Sequence, residues 1–236
     1  MRTILCIILL PLLFISCQKA SVPTPEEVLQ KAVQAHGGKA AFEAVKLFSF
    51  DKKTSSYDSL GELTKLVEQS FTYDFNKGTW AVGWRDNNQK HQLTIDALGL
   101  SLRVNDTLKT LSEPEKKAFE SFLNGGLFVY WQPYKLASEL PENAVVSPDT
   151  LMNTPVWAVS FQFDHSSDQW VWYFDQNSGV FLGNRVWHNN RYSLILNQSW
   201  LAYQGLKLPQ ERVSYRVNTA NEILYKQADY VYSSEK

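Results

Sequence analysis

The feature that most constrains the fold is a long succession of strand-like segments separated by short turn sequences. The segments are rich in aromatic and β-branched residues, and turn sequences such as Asn76-Lys77-Gly78 and Asp86-Asn87-Asn88 separate them. Such segments fill residues 47–111 and return from residue 156 onward, whereas the proline-containing residues 133–155 are typical of a loose connection. We therefore predict a mainly β chain with helices (α+β), whose strongly curved antiparallel sheet has about 10–12 strands.

The chain before the first strand has the signals of a helix. Thr24 and Glu27 have the spacing of a capping box, and Pro25 takes the first helical position, where its missing N–H costs nothing. Gly37 is the expected left-handed cap at the end of this helix. A short second helix is expected over residues 39–46.

A second helical region lies between the two groups of strands. Ser112 and Glu115 form another predicted capping box, and the helix is expected to end at Leu123, before Asn124-Gly125-Gly126. No linker composition divides the body of the chain, so residues 25–236 are predicted to form a single domain. The N-terminal and central helices are expected to act together as a lid on one face of the sheet.

The first residues predict export and a lipid anchor. One cation followed by about a dozen apolar residues is too short to span a bilayer and is typical of a signal peptide, here residues 1–16. Ile15-Ser16-Cys17 resembles a bacterial lipobox, which implies that Cys17 becomes the acylated N-terminus and that residues 17–24 form a tether. The alternative is an ordinary secretory signal with a cysteine near its end by chance.

The location of such an anchor follows from the same resemblance. Gln18, rather than an aspartate, follows the cysteine, which implies the outer membrane of a Gram-negative bacterium, on its periplasmic face. Two acyl chains on Cys17 would hold the protein on the membrane, since stable anchoring takes two chains rather than one.

Composition and motifs exclude several classes of function. Charge is nearly balanced, with 23 Lys and Arg residues against 24 Asp and Glu, so nucleic acid is not an expected partner. Motifs of zinc proteases, serine hydrolases and phosphate-binding loops are missing from the sequence. His36 lies at a predicted helix end, where a protonated imidazolium would interact favourably with the helix dipole. His91, His165 and His188 are scattered along the sequence and are expected at surface positions. We expect no catalysis, no cofactor and no metal.

The strands are more apolar than a sheet with one solvated face requires. In the segment WVWYF, Trp170 and Trp172 point to one side, while Val171 and Tyr173 point to the other. Each tryptophan taken singly fits a packed core, but the set also fits the wall of a hydrophobic pocket. The candidate pocket residues, whose inward or outward direction the sequence leaves open, are Trp80, Trp84, Trp157, Trp170, Trp172, Trp187 and Trp200.

Three stretches carry a resemblance to a known family: VLQKAVQAHGGKAAFEAVKLFSF (28–50), VWYFDQNSGVFLGNR (171–185) and YQGLKLPQERVSY (203–215). They resemble the first helices and later hairpins of the lipoprotein-localisation carriers (LolA/LolB/LppX-like fold), and more closely an uncharacterised family of Gram-negative lipoproteins with that fold. The resemblance implies a half-open antiparallel barrel, closed by a helical lid over an apolar cavity that accepts acyl chains. The lid residues would be Phe128, Tyr130, Trp131 and Tyr134.

These observations together predict a membrane-anchored envelope lipoprotein that binds a lipid or acylated molecule, as an acceptor, chaperone or local carrier. A tether of about seven residues reaches only about 25 Å, so the pocket would stay close to its own membrane. The alternative is a non-catalytic interaction or sensor subunit of an envelope protein complex, in which the aromatic residues fill a core and an interface.

Overall fold

The computed structural model describes residues 21–163 and 166–234. The predicted signal peptide (1–16), Cys17 and the first residues of the tether lie outside the described residues, as does His165. All strands of the described part belong to one antiparallel sheet. They are β1 (Leu47–Tyr57), β2 (Leu63–Asp74), β3 (Thr79–Asp86), β4 (Gln89–Asp96), β5 (Gly99–Val104), β6 (Thr107–Lys109), β7 (Val145–Leu151), β8 (Thr154–Phe161), β9 (Gln169–Asp175), β10 (Phe181–His188), β11 (Arg191–Tyr203), β12 (Leu206–Val217) and β13 (Ile223–Ser233).

The sheet consists of two meanders that meet at its centre. Its order is β6-β5-β4-β3-β2-β1-β13-β12-β11-β10-β9-β8-β7, so β1 pairs with β13, and Lys52 lies opposite Tyr232. Because β6 and β7 end the order at opposite edges, the sheet is not closed. The predicted α+β class with a half-open antiparallel sheet is confirmed, with 13 strands among the described residues rather than 10–12.

The strand that the sequence analysis missed is β7, which falls in the proline-containing connection. Pro148 lies within β7, opposite Trp157 of β8. A proline has no N–H to donate to a ladder, but β7 is an edge strand with only one neighbour. Pro148 therefore marks an edge strand here, not the absence of a strand.

In the described ranges, four helices accompany the sheet: α1 (Pro25–Ala35), α2 (Lys39–Ala44), α3 (Glu113–Tyr130) and α4 (Tyr134–Ser138). The predicted capping box of α1 is confirmed, since the Glu27 N–H donates to the Thr24 hydroxyl at 3.3 Å and the Thr24 N–H donates to the Glu27 carboxylate at 2.8 Å. α3 and α4 connect the two meanders, running from β6 at one edge to β7 at the other.

The predicted end of the central helix at Leu123 is wrong, because α3 continues through both glycines to Tyr130. Gly126 faces the sheet, where a Cβ atom would lie 2.8 Å from the Tyr73 hydroxyl oxygen and 2.9 Å from the Phe71 ring. The Tyr73 hydroxyl also donates to the Leu123 carbonyl at 2.9 Å. The glycine therefore permits close packing of a helix on a strand and does not end the helix.

The helices pack on one face of the sheet, which we call the inner face. Leu127 and Tyr130 of α3 are buried against β1 and β2, where they meet Phe48 and Phe50. Leu29 of α1 and Leu136 of α4 are buried against the other half of the sheet, together with Trp172 and Phe174. The opposite face, the outer face, has its own buried cluster: Leu151, Val156, Ala158, Tyr173, Leu194, Leu196 and Val217. Because both faces of the sheet are apolar here, the strand WVWYF does not alternate between apolar and polar residues.

The C-terminal end of α1 is fixed to the sheet through His36. The His36 Nδ1–H donates to the Lys207 carbonyl at 2.7 Å, and its Nε2 accepts the Phe181 N–H at 3.1 Å. The ring is completely buried, and burial lowers the pKa of His36 to about 4. The expectation of an imidazolium at this helix end is therefore wrong, because His36 is a neutral side chain that joins three elements.

Candidate functional site

A cavity of about 970 Å³ lies between α3 and the inner face. Its walls come from β3 in one meander, from β9–β12 in the other, and from α3 and α4. The volume is near the upper end of the range of about 300–1,000 Å³ that small-molecule sites occupy. The large apolar side chains that line it are Trp80, Leu127, Phe128, Phe163, Trp170 and Trp172.

The aromatic wall of the cavity is held by ring packing. Trp172 stacks on Phe161 with centroids 4.3 Å apart and on Trp170 at 5.7 Å. Phe128 of α3 meets Phe163 edge-on at 5.9 Å, which joins the helix to the segment that follows β8. Aromatic pairs of this geometry add about 0.5–1.5 kcal/mol beyond area burial. The wall is therefore preorganised to receive apolar surface.

Polar groups lie deep in the same cavity. Arg212 and Asn184, on strands that flank β11, are both nearly inaccessible to solvent, and the Arg212 Nη2 donates to the Asn184 Oδ1 at 2.9 Å. Both side chains belong to the cavity lining. Neither residue was predicted from the sequence, although Arg212, Ser214 and Arg216 alternate with apolar residues along β12. This alternation was a signal for a polar position on one face.

The tryptophans predicted to form the pocket are divided by the structure. Trp80, Trp170 and Trp172 line the cavity. Trp157 packs against the same inner-face cluster as Trp172, and Trp84 stacks on His91 at 4.9 Å near another depression. Residues that pair across neighbouring strands point to the same face of the sheet, so all five of these tryptophans lie on the inner face.

Two of the predicted residues, Trp187 and Trp200, lie on the outer face. Trp187 of β10 pairs with Tyr192 of β11, and Tyr192 pairs in turn with Val217 of β12, which belongs to the outer-face cluster. The Lys207 ammonium lies 4.7 Å from the centroid of Trp200, whose strand neighbour Leu201 packs on the inner face. Side chains that differ by one position along a strand point to opposite faces, so these two tryptophans lie away from the cavity.

The four predicted lid residues also take different places. Phe128 lines the cavity, whereas Tyr130 and Trp131 are buried in the core of the first meander. Tyr130 stacks on Tyr232 at 4.5 Å, and Tyr134 stacks on Phe42 at 4.8 Å. The last three therefore hold the helical region onto the protein body.

Two other depressions are lined chiefly by charged and polar side chains. One, of about 730 Å³, lies along β1–β4 and includes Lys53 and Glu68. The other, of about 840 Å³, lies among the helices and includes Lys31 and Glu43. Within residues 21–163 and 166–234, no cluster of His, Cys, Asp and Glu could hold a metal ion. In the same ranges, no helix combines the length and apolar character that a membrane span requires.

Comparison with known structures identifies the fold. A LolA superfamily protein from Nitrosomonas europaea is similar with a TM-score of 0.50 and 8% sequence identity, over 89% of this chain and 92% of that chain. The structure of MucB in complex with MucA(peri) gives a TM-score of 0.22 and 10% identity, over 89% of this chain and 55% of that one. No family model and no curated protein sequence matches the chain. The chain has a LolA-like fold, as the resemblance of its turns and strands implied.

Proposed function

From this LolA-like fold, we propose that the protein is a membrane-anchored envelope lipoprotein that binds the acyl chain of a lipid or acylated molecule. The observation that supports the proposal is the cavity beneath α3, which has room for a ligand although its aromatic wall is rigidly packed. Each buried methylene contributes about 0.8 kcal/mol, so a chain lying along Trp170 and Trp172 gains affinity with its length. The protein would act as an acceptor, chaperone or local carrier.

The envelope location and the anchor are part of the proposal, and the N-terminal sequence supports them. Cys17 is placed after a short apolar run with one preceding cation, as in an exported lipoprotein. The short segment 18–24 would leave the cavity close to the membrane surface, on the periplasmic face of the outer membrane. A ligand would then pass between membrane and cavity over a short distance.

Gly125 offers a direct test of acyl-chain binding. It lines the cavity, and a Cβ atom placed on it would meet no atom within 4 Å, so the variant Gly125→Trp has open space at its Cβ and is designed to occupy part of the cavity. We expect wild-type protein, extracted in mild detergent, to carry about one lipid per chain in mass spectrometry, and Gly125→Trp to lose most of it. A helix interior also tolerates tryptophan better than glycine, so the variant should fold.

The matched control is Glu120→Trp, on the exposed side of the same helix. It adds the same side chain outside the cavity and should leave the lipid content unchanged. Lipid-free wild-type protein, or equal lipid in Gly125→Trp and wild type, would refute the proposal. Lipid-free wild type that co-purifies with a stoichiometric protein would favour an interaction subunit instead.

The anchor has a separate test in Cys17→Ser. Without a thiol to acylate, the chain should move from the membrane fraction to the soluble fraction, since two acyl chains supply most of the proposed membrane affinity. Cell fractionation with immunoblotting measures the distribution, and Ser16→Ala is the neighbouring control that keeps the thiol. Retention of Cys17→Ser on the membrane would rule out this anchor and leave the cavity proposal untouched.

A further inference from the structure

The cavity wall has more free hydrogen-bond donors than acceptors. In the described part of the chain, four buried side-chain atoms that belong to cavity-lining residues have no protein partner. Three are donors, namely the Arg212 Nε–H, an Asn184 Nδ2–H and the Trp172 Nε1–H, and one is an acceptor, the Gln132 Oε1. A buried donor without an acceptor is destabilising, so this wall is incomplete without a ligand rich in acceptor atoms.

Arg212 also lacks a compensating negative charge among the described residues. It is 3% exposed, and no described carboxylate lies within 4.0 Å of it. Among the described residues, the two carboxylates that line the cavity are paired elsewhere: Asp168 lies 2.6 Å from His188, and Glu139 lies 3.0 Å from Lys135. A buried guanidinium without an anion is costly to a fold, and binding sites are where such a cost is retained.

The neighbours of Arg212 increase the positive potential. Lys52 lies across β13 from Arg212 on the same face, and burial together with the Arg212 charge lowers the pKa of Lys52 to about 8. The residues of β13 between them are Tyr230 and Tyr232, and burial raises the pKa of both phenols, so they remain neutral. This region of the inner face therefore carries positive charge without a described anion.

We propose that Arg212, Asn184 and Trp172 form a subsite for the carboxylate or phosphate of an anionic amphiphile, whose alkyl chain lies along the aromatic wall. The inference rests on the proposed function and narrows its ligand class. An oxyanion has several acceptor lone pairs for these three N–H groups, and the guanidinium would add a charge-assisted bond. A neutral head group would leave the Arg212 charge uncompensated, and a cationic one would be repelled.

The test compares three probes with the same number of carbon atoms: palmitate, hexadecyl phosphate and hexadecanol. Binding to delipidated full chain in non-ionic detergent is measured by native mass spectrometry over a range of probe concentrations. We expect at least one of the two anions to bind about 10- to 100-fold more tightly than hexadecanol, as charge-assisted hydrogen bonds predict. A stronger preference for palmitate assigns a carboxylate ligand, and one for hexadecyl phosphate assigns a phosphate ligand.

The variant Arg212→Met is expected to abolish the preference for the anions and to leave hexadecanol binding unchanged. Its unfolding temperature should stay close to that of the wild type, because removal of a buried charge stabilises the fold while the Asn184 Oδ1 loses its donor. Arg216→Gln is the control, since Arg216 is a half-buried arginine of the same strand that donates to the Tyr192 carbonyl and does not line the cavity. If Arg212→Met does not fold, Arg212→Gln, which retains a donor for Asn184, replaces it.

The outcomes separate the subsite from the proposed function. Wild-type protein that binds none of the three probes would contradict the cavity function itself. Equal binding of anions and hexadecanol by wild type, or an anion preference that persists in Arg212→Met, would refute the subsite while acyl-chain binding stands. Loss of all three probes together with a lower unfolding temperature in Arg212→Met would show a purely structural role and would also refute it.

Discussion

Replacing His36 by Leu is expected to lower the free energy of unfolding by about 2–6 kcal/mol at pH 7, because a buried and a partly buried backbone group lose their partners at about 1–3 kcal/mol each. These groups are the Lys207 carbonyl and the Phe181 N–H, which no leucine side chain can satisfy. Leucine fills a similar volume, so the loss reports hydrogen bonding more than packing. Chemical denaturation followed by tryptophan fluorescence measures it.

The same side chain predicts a specific dependence on pH. The ordinary pKa of 6.5 applies to His36 in the unfolded chain, and burial lowers the folded pKa to about 4. As the pH falls, the unfolded state therefore binds a proton before the folded state does. The contribution of neutral His36 to the free energy of unfolding is complete above pH 6.5 and is lost as the pH falls towards 4. The loss amounts to about 3 kcal/mol over this interval, and it should be absent from His36→Leu.

The exposed His188 provides the control for both measurements. His188→Leu should change the free energy of unfolding by less than about 1 kcal/mol at pH 7, since surface contacts contribute little. Carboxylates also titrate between pH 6.5 and 4, so the effect of His36 is taken from the difference in the free energy of unfolding between wild type and each variant. A wild-type advantage over His36→Leu that stays constant between pH 7 and 4 would contradict a neutral, buried His36.

The elements that sequence reasoning predicted well are those determined by neighbouring residues. The capping box of Thr24 and Glu27 needs only a spacing of three residues, and the turns with Asn and Gly need only a local backbone conformation. Gly126 and Pro148 were misjudged because their meaning depends on distant partners. Gly126 packs against Tyr73, and Pro148 is tolerated because its strand lies at an edge of the sheet.

The candidate site was only partly predictable for a related reason. Because side chains alternate along a strand, Trp172 and Tyr173 must point to opposite faces, but the sequence does not say which of the two points towards the helices. In this chain both faces carry buried clusters, so apolar character could not decide between Trp172 on the inner face and Trp187 on the outer face. Arg212 was missed because a single charged residue in a strand is ordinarily solvent-exposed.

A second large effect is expected from Gly37→Ala, at the position after His36. Gly37 has a φ of +117°, and a Cβ atom would lie 2.6 Å from the Gly205 carbonyl oxygen and 3.1 Å from the Leu206 Cα. Since both obstacles are backbone atoms, the end of α1 must move away from the start of β12. We expect a loss of about 2–6 kcal/mol in the free energy of unfolding, from backbone strain and overpacking of about 1–3 kcal/mol each.

Gly99→Ala separates the two causes of this loss. Gly99 has a similar φ of +102°, but a Cβ atom there would meet no atom within 4 Å, so only the strain of about 1–3 kcal/mol remains. Movement of α1 in Gly37→Ala would also pull the His36 ring from the Lys207 carbonyl and the Phe181 N–H. The loss in the double variant with His36→Leu should therefore be smaller than the sum of the single losses. Additive losses, or equal losses in Gly37→Ala and Gly99→Ala, would show that this close approach does not hold α1 to the sheet.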